Sequence, residues 1–315
     1  MGKKTDIISV HPIKFLSKWR SLPPYEMISY IFMFASVPML AYGIQSYDSS
    51  IIILIILTIL ALYSGFFATL IWNDITDIDI DIIAHPDRPI PSGRISLKKF
   101  FVIALFFSAT TFIFSYLVNF WCLVLVCLSA LFVTIHNRYL KKIVKIPAYS
   151  EIFTPIQWVV VAIFGYLSIW TTVPQSTSIY EFQNMIILVI FIYFTVNAHD
   201  LAEGICDIEG DRKSGVRTYA TSFGKRFTVK ILFVMFLLSG LLGIIIYFST
   251  FLSLVFLIPF LIIWLYTLYQ SYKLLKADDK EMKKLSAIVG RKGFNFFLLA
   301  FDLIFLDIFI QLLMV

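Results

Sequence analysis

The sequence predicts an all-α, polytopic membrane protein, and three observations carry that reading. Hydrophobic residues make up 59% of the 315-residue chain and charged residues only 15%, against roughly 45–50% and about 25% in an average soluble domain. Mean hydropathy is +0.87, and a water-soluble chain of this size would lack the polar residues to cover its surface. Apolar stretches of spanning length recur nine times, without the period-2 alternation of a membrane barrel strand. Soluble globular, disordered and collagen-like classes are thereby excluded.

Crossing ~30 Å of hydrocarbon takes about 20 largely apolar helical residues. The nine expected helices lie at 27–45, 51–71, 99–117, 120–137, 150–169, 183–199, 229–249, 251–272 and 294–314, in one domain covering 1–315. Residues 1–26 precede the first span. Their long basic stretch, with no A-x-A site after the apolar run, reads as a cytoplasmic segment rather than a cleaved signal peptide. Asp6 also breaks the pattern for N-myristoylation.

Orientation follows from charge. All 26 Lys and Arg fall in five segments, Lys3–Arg20, Arg88–Lys99, Arg138–Lys145, Arg212–Lys230 and Lys273–Lys292. The connections Gly43–Ser50, Val118–Phe120, Ser168–Phe182 and Ser249–Thr250 contain none. Basic loops stay on the cytoplasmic side, so the chain is expected in the cell membrane with its N-terminus inside and its C-terminus outside. The net charge of +6 is accounted for by topology and anionic membrane lipids, with no nucleic-acid partner.

Three cysteines (Cys122, Cys127, Cys206) and four scattered histidines (His11, His85, His136, His199) give neither a disulfide framework nor a zinc spacing. The chemistry lies instead in the acids. Ten of the twenty carboxylates fall in two short stretches, Asp74, Asp77, Asp79, Asp81 and Asp87, then Asp200, Glu203, Asp207, Glu209 and Asp211. Each stretch continues a span, the second and the sixth, at its cytoplasmic end.

If the second helix continues, Asn73, Asp77 and Asp81 step by four and Asp74 reaches Asp77 by three, so these four share one face while Asp79 points away. Glu203, Asp207 and Asp211 also step by four. Stacked carboxylates repel, and a hard divalent cation relieves the repulsion. Mg2+ takes oxygen ligands and is typically held by one or two carboxylates together with substrate phosphates. Two such faces with basic residues nearby suit a Mg2+-diphosphate. A solvated acidic helix end explains either stretch alone but both together poorly.

The loop His85-Pro-Asp-Arg-Pro-Ile-Pro-Ser-Gly-Arg94 is stiffened by three prolines and turned by Gly93. It brings Arg88 and Arg94, whose planar forks suit bidentate contact with a diphosphate. Arg212, Lys213 and Arg217 follow the second stretch with similar chemistry.

With its Asn73-Asp74-x-x-Asp77-x-x-x-Asp81 run, the Pro-Asp-Arg-Pro-Ile-Pro-Ser-Gly-Arg loop and Asp207-x-x-x-Asp211, the sequence resembles the UbiA-type intramembrane prenyltransferases over most of its length. The resemblance implies nine helices around a central cavity, with both Asp-rich motifs at its cytoplasmic end. It implies that Asp74, Asp77, Asp81, Asp207 and Asp211 hold Mg2+ and the diphosphate with support from Asn73. Arg88, Lys141 and Lys213 are then candidates for direct diphosphate contact, and Arg138 joins Arg94 among the substrate-binding cations. Two residues depart from the pattern. His136 stands where a Tyr often precedes the Lys after the fourth helix, and Gly204 stands where several branches carry a further acid.

The implied reaction breaks an allylic C–O bond of a prenyl diphosphate. Metal ions and Arg or Lys stabilise the departing diphosphate, while a dry, aromatic-lined site protects the allylic cation. A lipophilic acceptor takes the prenyl group, with geranylgeranylglyceryl phosphate favoured over an aromatic ring of the quinone or chlorophyll type. A membrane terpene cyclase needs no acceptor. A cation transporter is the non-enzymatic alternative, kept open by Asp302 and Asp307 inside the last span. The two acid stretches lie four helices apart, as a duplicated four-helix unit would place them.

Overall fold

A computed structural model describes residues 23–78, 81–82, 86–140, 143–170 and 178–314. The long helices are α1 (Pro24–Tyr42), α2 (Ser49–Thr76), α3 (Leu97–Val118), α4 (Phe120–Ile135), α5 (Tyr149–Ile169) and α6 (Ser178–Cys206). Two short helices, α7 (Ile208–Ser214) and α8 (Tyr219–Phe223), lead to α9 (Lys225–Ser249), α10 (Leu254–Lys276) and α11 (Asp279–Met314). No strand occurs among the described residues. The all-α expectation is met, and the chain is a multi-pass membrane protein.

Eight of these helices are long and apolar enough to cross a membrane, one fewer than expected. The exception is α1, which has the length but dilutes its apolar run with Glu26, Ser29 and Ser36 and carries Pro38 within it. The other difference is at α11, which starts at Asp279 rather than near 294. Its basic first half buries Met282, Ser286, Val289, Gly290 and Gly293, a helical spacing that masks itself in a mean-hydropathy reading.

Local signals set the helix ends. Asp48 accepts from the Ile51 N–H at 3.0 Å to cap α2. Asn119 turns the α3–α4 corner: its side chain accepts from the Cys122 N–H and donates to the Leu167 carbonyl at 2.8 Å, tying the corner to α5. Ser253 caps α10.

The helices close into two rings of four. In one, α2 packs on α3, α3 on α4, α4 on α5 and α5 back on α2; in the other, α6, α9, α10 and α11 follow the same cyclic order. The rings meet where α5 packs on α6, and α1 bridges them through α2, α5 and α11. Each ring begins with a helix that ends in an acid stretch. Small residues allow the closest approaches: a Cβ on Gly240 or Gly243 of α9 would overlap Trp264 or Phe260 of α10, as expected where backbones pack tightly within a bilayer.

Candidate functional site

The first acid stretch does not continue α2 as an unbroken helix. The helix stops at Thr76 and Asp77 adopts φ −101°, ψ 15°, yet the hydrogen-bond register survives: the Asp77 N–H donates to the Asn73 carbonyl at 2.9 Å and the Asp81 N–H to the Asp77 carbonyl at 2.8 Å. The four-residue step expected of Asn73, Asp77 and Asp81 is therefore kept through the break. Asp74 and Asp81 are each only 2% exposed. Asp79 lies outside the described residues.

Burying two carboxylates costs several kcal/mol unless they are paired, and Arg88 pairs both. Its Nη1 lies 2.6 and 2.7 Å from the two oxygens of Asp81 and 3.5 Å from Asp74 Oδ1. The loop that delivers Arg88 is held by its own backbone, with Ser92 N–H donating to the Arg88 carbonyl, Ile95 N–H to the Pro89 carbonyl, and Gly93 at φ +71°. Arg94 does not join Arg88. Its guanidinium donates to the Asp87 carbonyl and to Ser92 Oγ within the same loop.

Asn73 is met from the other side by the Asn137 side-chain amide, which sits in the five-residue π-helical turn His136–Leu140 closing α4. In that turn His136 is buried, stacked on Phe153 with ring centroids 3.4 Å apart and bonded through Nδ1 to the Tyr149 hydroxyl at 3.2 Å. Arg138 is exposed, 5.8 Å from the Tyr139 ring. Lys141 lies outside the described residues.

The second stretch repeats the geometry of the first. α6 ends at Cys206, Asp207 takes φ −98°, ψ 6°, and its N–H donates to the Glu203 carbonyl at 3.0 Å while the Asp211 N–H donates to the Asp207 carbonyl at 3.0 Å. Asp77 and Asp207 thus occupy equivalent breaks, each four residues before a further acid. Lys213 is exposed in the last turn of α7. Glu203 keeps the expected four-residue step to Asp207; its side chain is 63% exposed and lies 3.5 Å from His199 Nε2. His199 Nδ1 is within hydrogen-bond distance, 2.9 Å, of the Gly290 carbonyl.

Sequence reasoning left the aromatic lining unassigned, because 17% aromatics are too many to sort by position. The fold gathers Tyr30, Phe66, Trp158, Phe294 and Phe297 from α1, α2, α5 and α11, with Tyr30–Phe66 centroids at 4.4 Å and Trp158–Phe297 at 5.5 Å. His199 lies 4.9 Å from Phe294, so this cluster adjoins α6 just before its acid stretch.

The two acids inside the last span have local partners. Asp307 accepts from the Ser253 N–H and hydroxyl at 2.6 and 2.7 Å and from Gln311 at 2.9 Å, fastening the start of α10 to α11. Asp302 accepts from the Ser29 hydroxyl at 2.7 Å. Asp307 thus has a structural role, which weakens the observation that kept a transport reading open.

Against known proteins, the sequence model of the UbiA prenyltransferase family matches residues 29–299. A digeranylgeranylglyceryl phosphate synthase of Methanobrevibacter smithii is 30% identical over 75% of this chain and 82% of that protein. The synthase of the same name from Sulfolobus acidocaldarius is 29% identical over 50% of this chain, and the match spans about half of the relative's length (52%). The fold is similar to that of a UbiA homolog from Archaeoglobus fulgidus bound to DMAPP and Mg2+, with TM-score 0.57 at 16% identity over 90% of this chain and 98% of that one.

Proposed function

This chain belongs to the UbiA prenyltransferase family, and from that premise we propose that it transfers a polyprenyl group from a prenyl diphosphate to a lipophilic acceptor in a Mg2+-dependent reaction. The observation that carries the reading is the pair of equivalent helix breaks, Asp77 and Asp207, each followed by an acid one turn on, with Arg88 already seated on Asp74 and Asp81. The donor set fits Mg2+. Carboxylate and amide oxygens are hard ligands, and the cysteine beside the second break, Cys206, turns its thiol to the Lys283 carbonyl.

In this proposal Asp74, Asp77 and Asp81 hold one side of the metal-diphosphate, supported by Asn73 and Asn137, and Asp207 and Asp211 hold the other. Bound Mg2+ supplies charge neutralisation and Lewis acidity at the leaving oxygen. Arg88 exchanges a carboxylate partner for the diphosphate, donating to its oxygens as negative charge develops there. Lys141 and Lys213 contact the diphosphate directly, as the family motif implies, and Arg138 and Arg94 help to attract the substrate. The Tyr30–Phe66–Trp158–Phe294–Phe297 cluster excludes water and turns electron-rich faces towards the allylic carbon.

The favoured acceptor is geranylgeranylglyceryl phosphate, supported by the names of the curated relatives. The whole chain, 1–315, acts as one domain in the cell membrane, with its N-terminus cytoplasmic and its C-terminus outside. Lys273 over Tyr269 and Lys276 over Tyr272, at 4.4 and 5.6 Å, support a cytoplasmic interface at the end of α10. The test is diphosphate release from a labelled prenyl diphosphate by purified protein, with and without Mg2+, across a panel of acceptors. Release that needs both Mg2+ and the glyceryl phosphate acceptor is expected. Release with formation of a cyclic hydrocarbon in the absence of any acceptor would replace the transferase reading by a cyclase, and no release with any acceptor would overturn it.

A further inference from the structure

Between α5 and α6, three buried side-chain oxygens have no hydrogen-bond partner among the described residues: Glu151 Oε1, Asn197 Oδ1 and Asp200 Oδ2. Unsatisfied buried acceptors are rare and costly, so three in one small region call for a donor or a cation. Their placement is specific. On α6, Asn197, Asp200, Gly204 and Asp207 follow steps of three, four and three, which puts them on one face. Glu151, near the start of α5, is 4% exposed, and Asn197 is fully buried. The Asn197 amide donates to the Glu151 backbone carbonyl at 2.8 Å, which brings the two residues together and leaves Oδ1 facing away from that bond.

Gly204 fixes where the Glu151 carboxylate points. A Cβ at position 204 would overlap Glu151 Oε1, so the carboxylate occupies the side-chain space of that glycine on the acid face of α6. Its other oxygen, Oε2, accepts from the Tyr219 N–H. With the Ala148 N–H donating to Ser222 Oγ and the Ser150 N–H to the Arg217 carbonyl, this bond clasps the α7–α8 segment onto the start of α5. One oxygen of Glu151 is therefore committed to the fold, and the other is held rigidly against α6.

We infer that Glu151 Oε1, Asn197 Oδ1 and Asp200 Oδ2 form a divalent-cation seat on the inner side of the Asp207–Asp211 stretch, with Glu151 supplying from α5 the carboxylate for which Gly204 leaves room on α6. Two carboxylates and an amide oxygen form a hard donor set suited to Mg2+ with waters completing the shell. Asp200 also borders the more exposed His199–Glu203 pair, the three ligand atoms lying within 4.8 Å of one another. The His199 ring nitrogens already face Glu203 and Gly290, so it is Glu151 that tells the seat from that pair. This inference rests on the transferase reading only for the choice of Mg2+ as the physiological ion.

Mn2+ serves as the probe, its free concentration read by the loss of its solution electron paramagnetic resonance signal, on the full-length protein without any prenyl diphosphate. In Glu151→Gln the amide oxygen still accepts from Tyr219, so the clasp remains while the charge is lost. Glu151→Gln and Asp200→Asn are each expected to lose one bound Mn2+ per chain or weaken it at least tenfold, also in an Asp81→Asn background, whereas exposed Glu209→Gln keeps the wild-type count. Gly204→Ala, which displaces the carboxylate, should weaken the same ion and serves if either charge variant is poorly folded by its unfolding midpoint in chelator. A well-folded Glu151→Gln protein with wild-type Mn2+ count and affinity would overturn the seat. Diphosphate release by the wild type is scored separately. An inactive protein with the Mn2+ pattern intact refutes the transferase and keeps the seat, and an active one without the pattern does the reverse.

Discussion

Replacing Arg88 by Ala should act in opposite directions on metal and on diphosphate. With one guanidinium nitrogen 2.6–2.7 Å from both oxygens of Asp81 and 3.5 Å from Asp74, the cation occupies the place a metal needs. Charge centres about 4 Å apart attract by about 4 kcal/mol at the effective dielectric of a protein surface. The Arg88 side chain is 24% exposed, so water and desolvation offset part of this, leaving a net ~1–2 kcal/mol that an incoming cation must displace. Removing Arg88 should therefore tighten Mn2+ binding in the absence of prenyl diphosphate about tenfold, since ~1.4 kcal/mol is one decade. The same change removes a preorganised donor from the leaving group, so diphosphate release should fall by about 10²–10³. Arg88→Lys keeps the charge without the fork and should lie between on both measures. Metal titration by paramagnetic resonance and radiometric diphosphate release read the two effects on one preparation. If Arg88→Ala weakens Mn2+ binding, or leaves turnover intact, the exchange of partners assigned to this residue is wrong.

Asp77→Asn and Asp81→Asn should each abolish turnover while the protein elutes as folded, because Asn keeps the size but not the charge that holds Mg2+; Asp79→Asn should be far milder, and equal losses at 79 and 81 would refute the shared face. Asp81→Ala combined with Asp207→Ala should be scarcely worse than the poorer single variant, since both act on one diphosphate, and losses that multiply would mean two independent sites. Asp307→Ala removes three accepted hydrogen bonds at the start of α10 and should cost about 2–4 kcal/mol of stability, lowering the unfolding midpoint without changing the Mg2+ dependence of turnover. For topology, impermeant thiol reagents on intact cells should label Cys introduced in 168–182 and spare 212–230; the reverse pattern would invert the orientation.

Much of this was legible because hydrophobicity and charge are one-dimensional signals. Span positions follow from window averages, and the spacing of Asp77, Asp81, Asp207 and Asp211 survives even where the helix breaks, since the i→i−4 bonds persist across the break. What escaped depends on contacts between distant segments. Arg88 and Arg94 are the same residue type in one loop, and only the loop's own hydrogen bonds send one to Asp81 and the other to the Asp87 carbonyl. Glu151 is a single acid at the edge of an apolar run, where its partner on α6 is a glycine and carries no signal of its own. The first half of α11 shows no apolar run, because its charges hide a buried stripe. In α1, Glu26 and two buried serines brought the hydropathy below that of its neighbours.

The ring order of the helices has a consequence for how the polypeptide can be cut. Lateral packing within α2–α5 closes on itself, as does packing within α6 and α9–α11. The two groups meet mainly at the α5–α6 seam, through the bridging α1 and where Trp158 of α5 packs on Phe294 and Phe297 of α11. A chain severed between α5 and α6 would then leave two fragments, each retaining most of its own neighbours and one of the two broken helix ends. Co-expressed, such halves have complementary faces on which to reassemble in the bilayer, since helix association there relies on packing between formed helices rather than on chain continuity. Neither half alone would hold both acid pairs. Activity in this fold is thus a property of the pairing of two halves, and the covalent link between them serves mainly to fix their ratio at one to one.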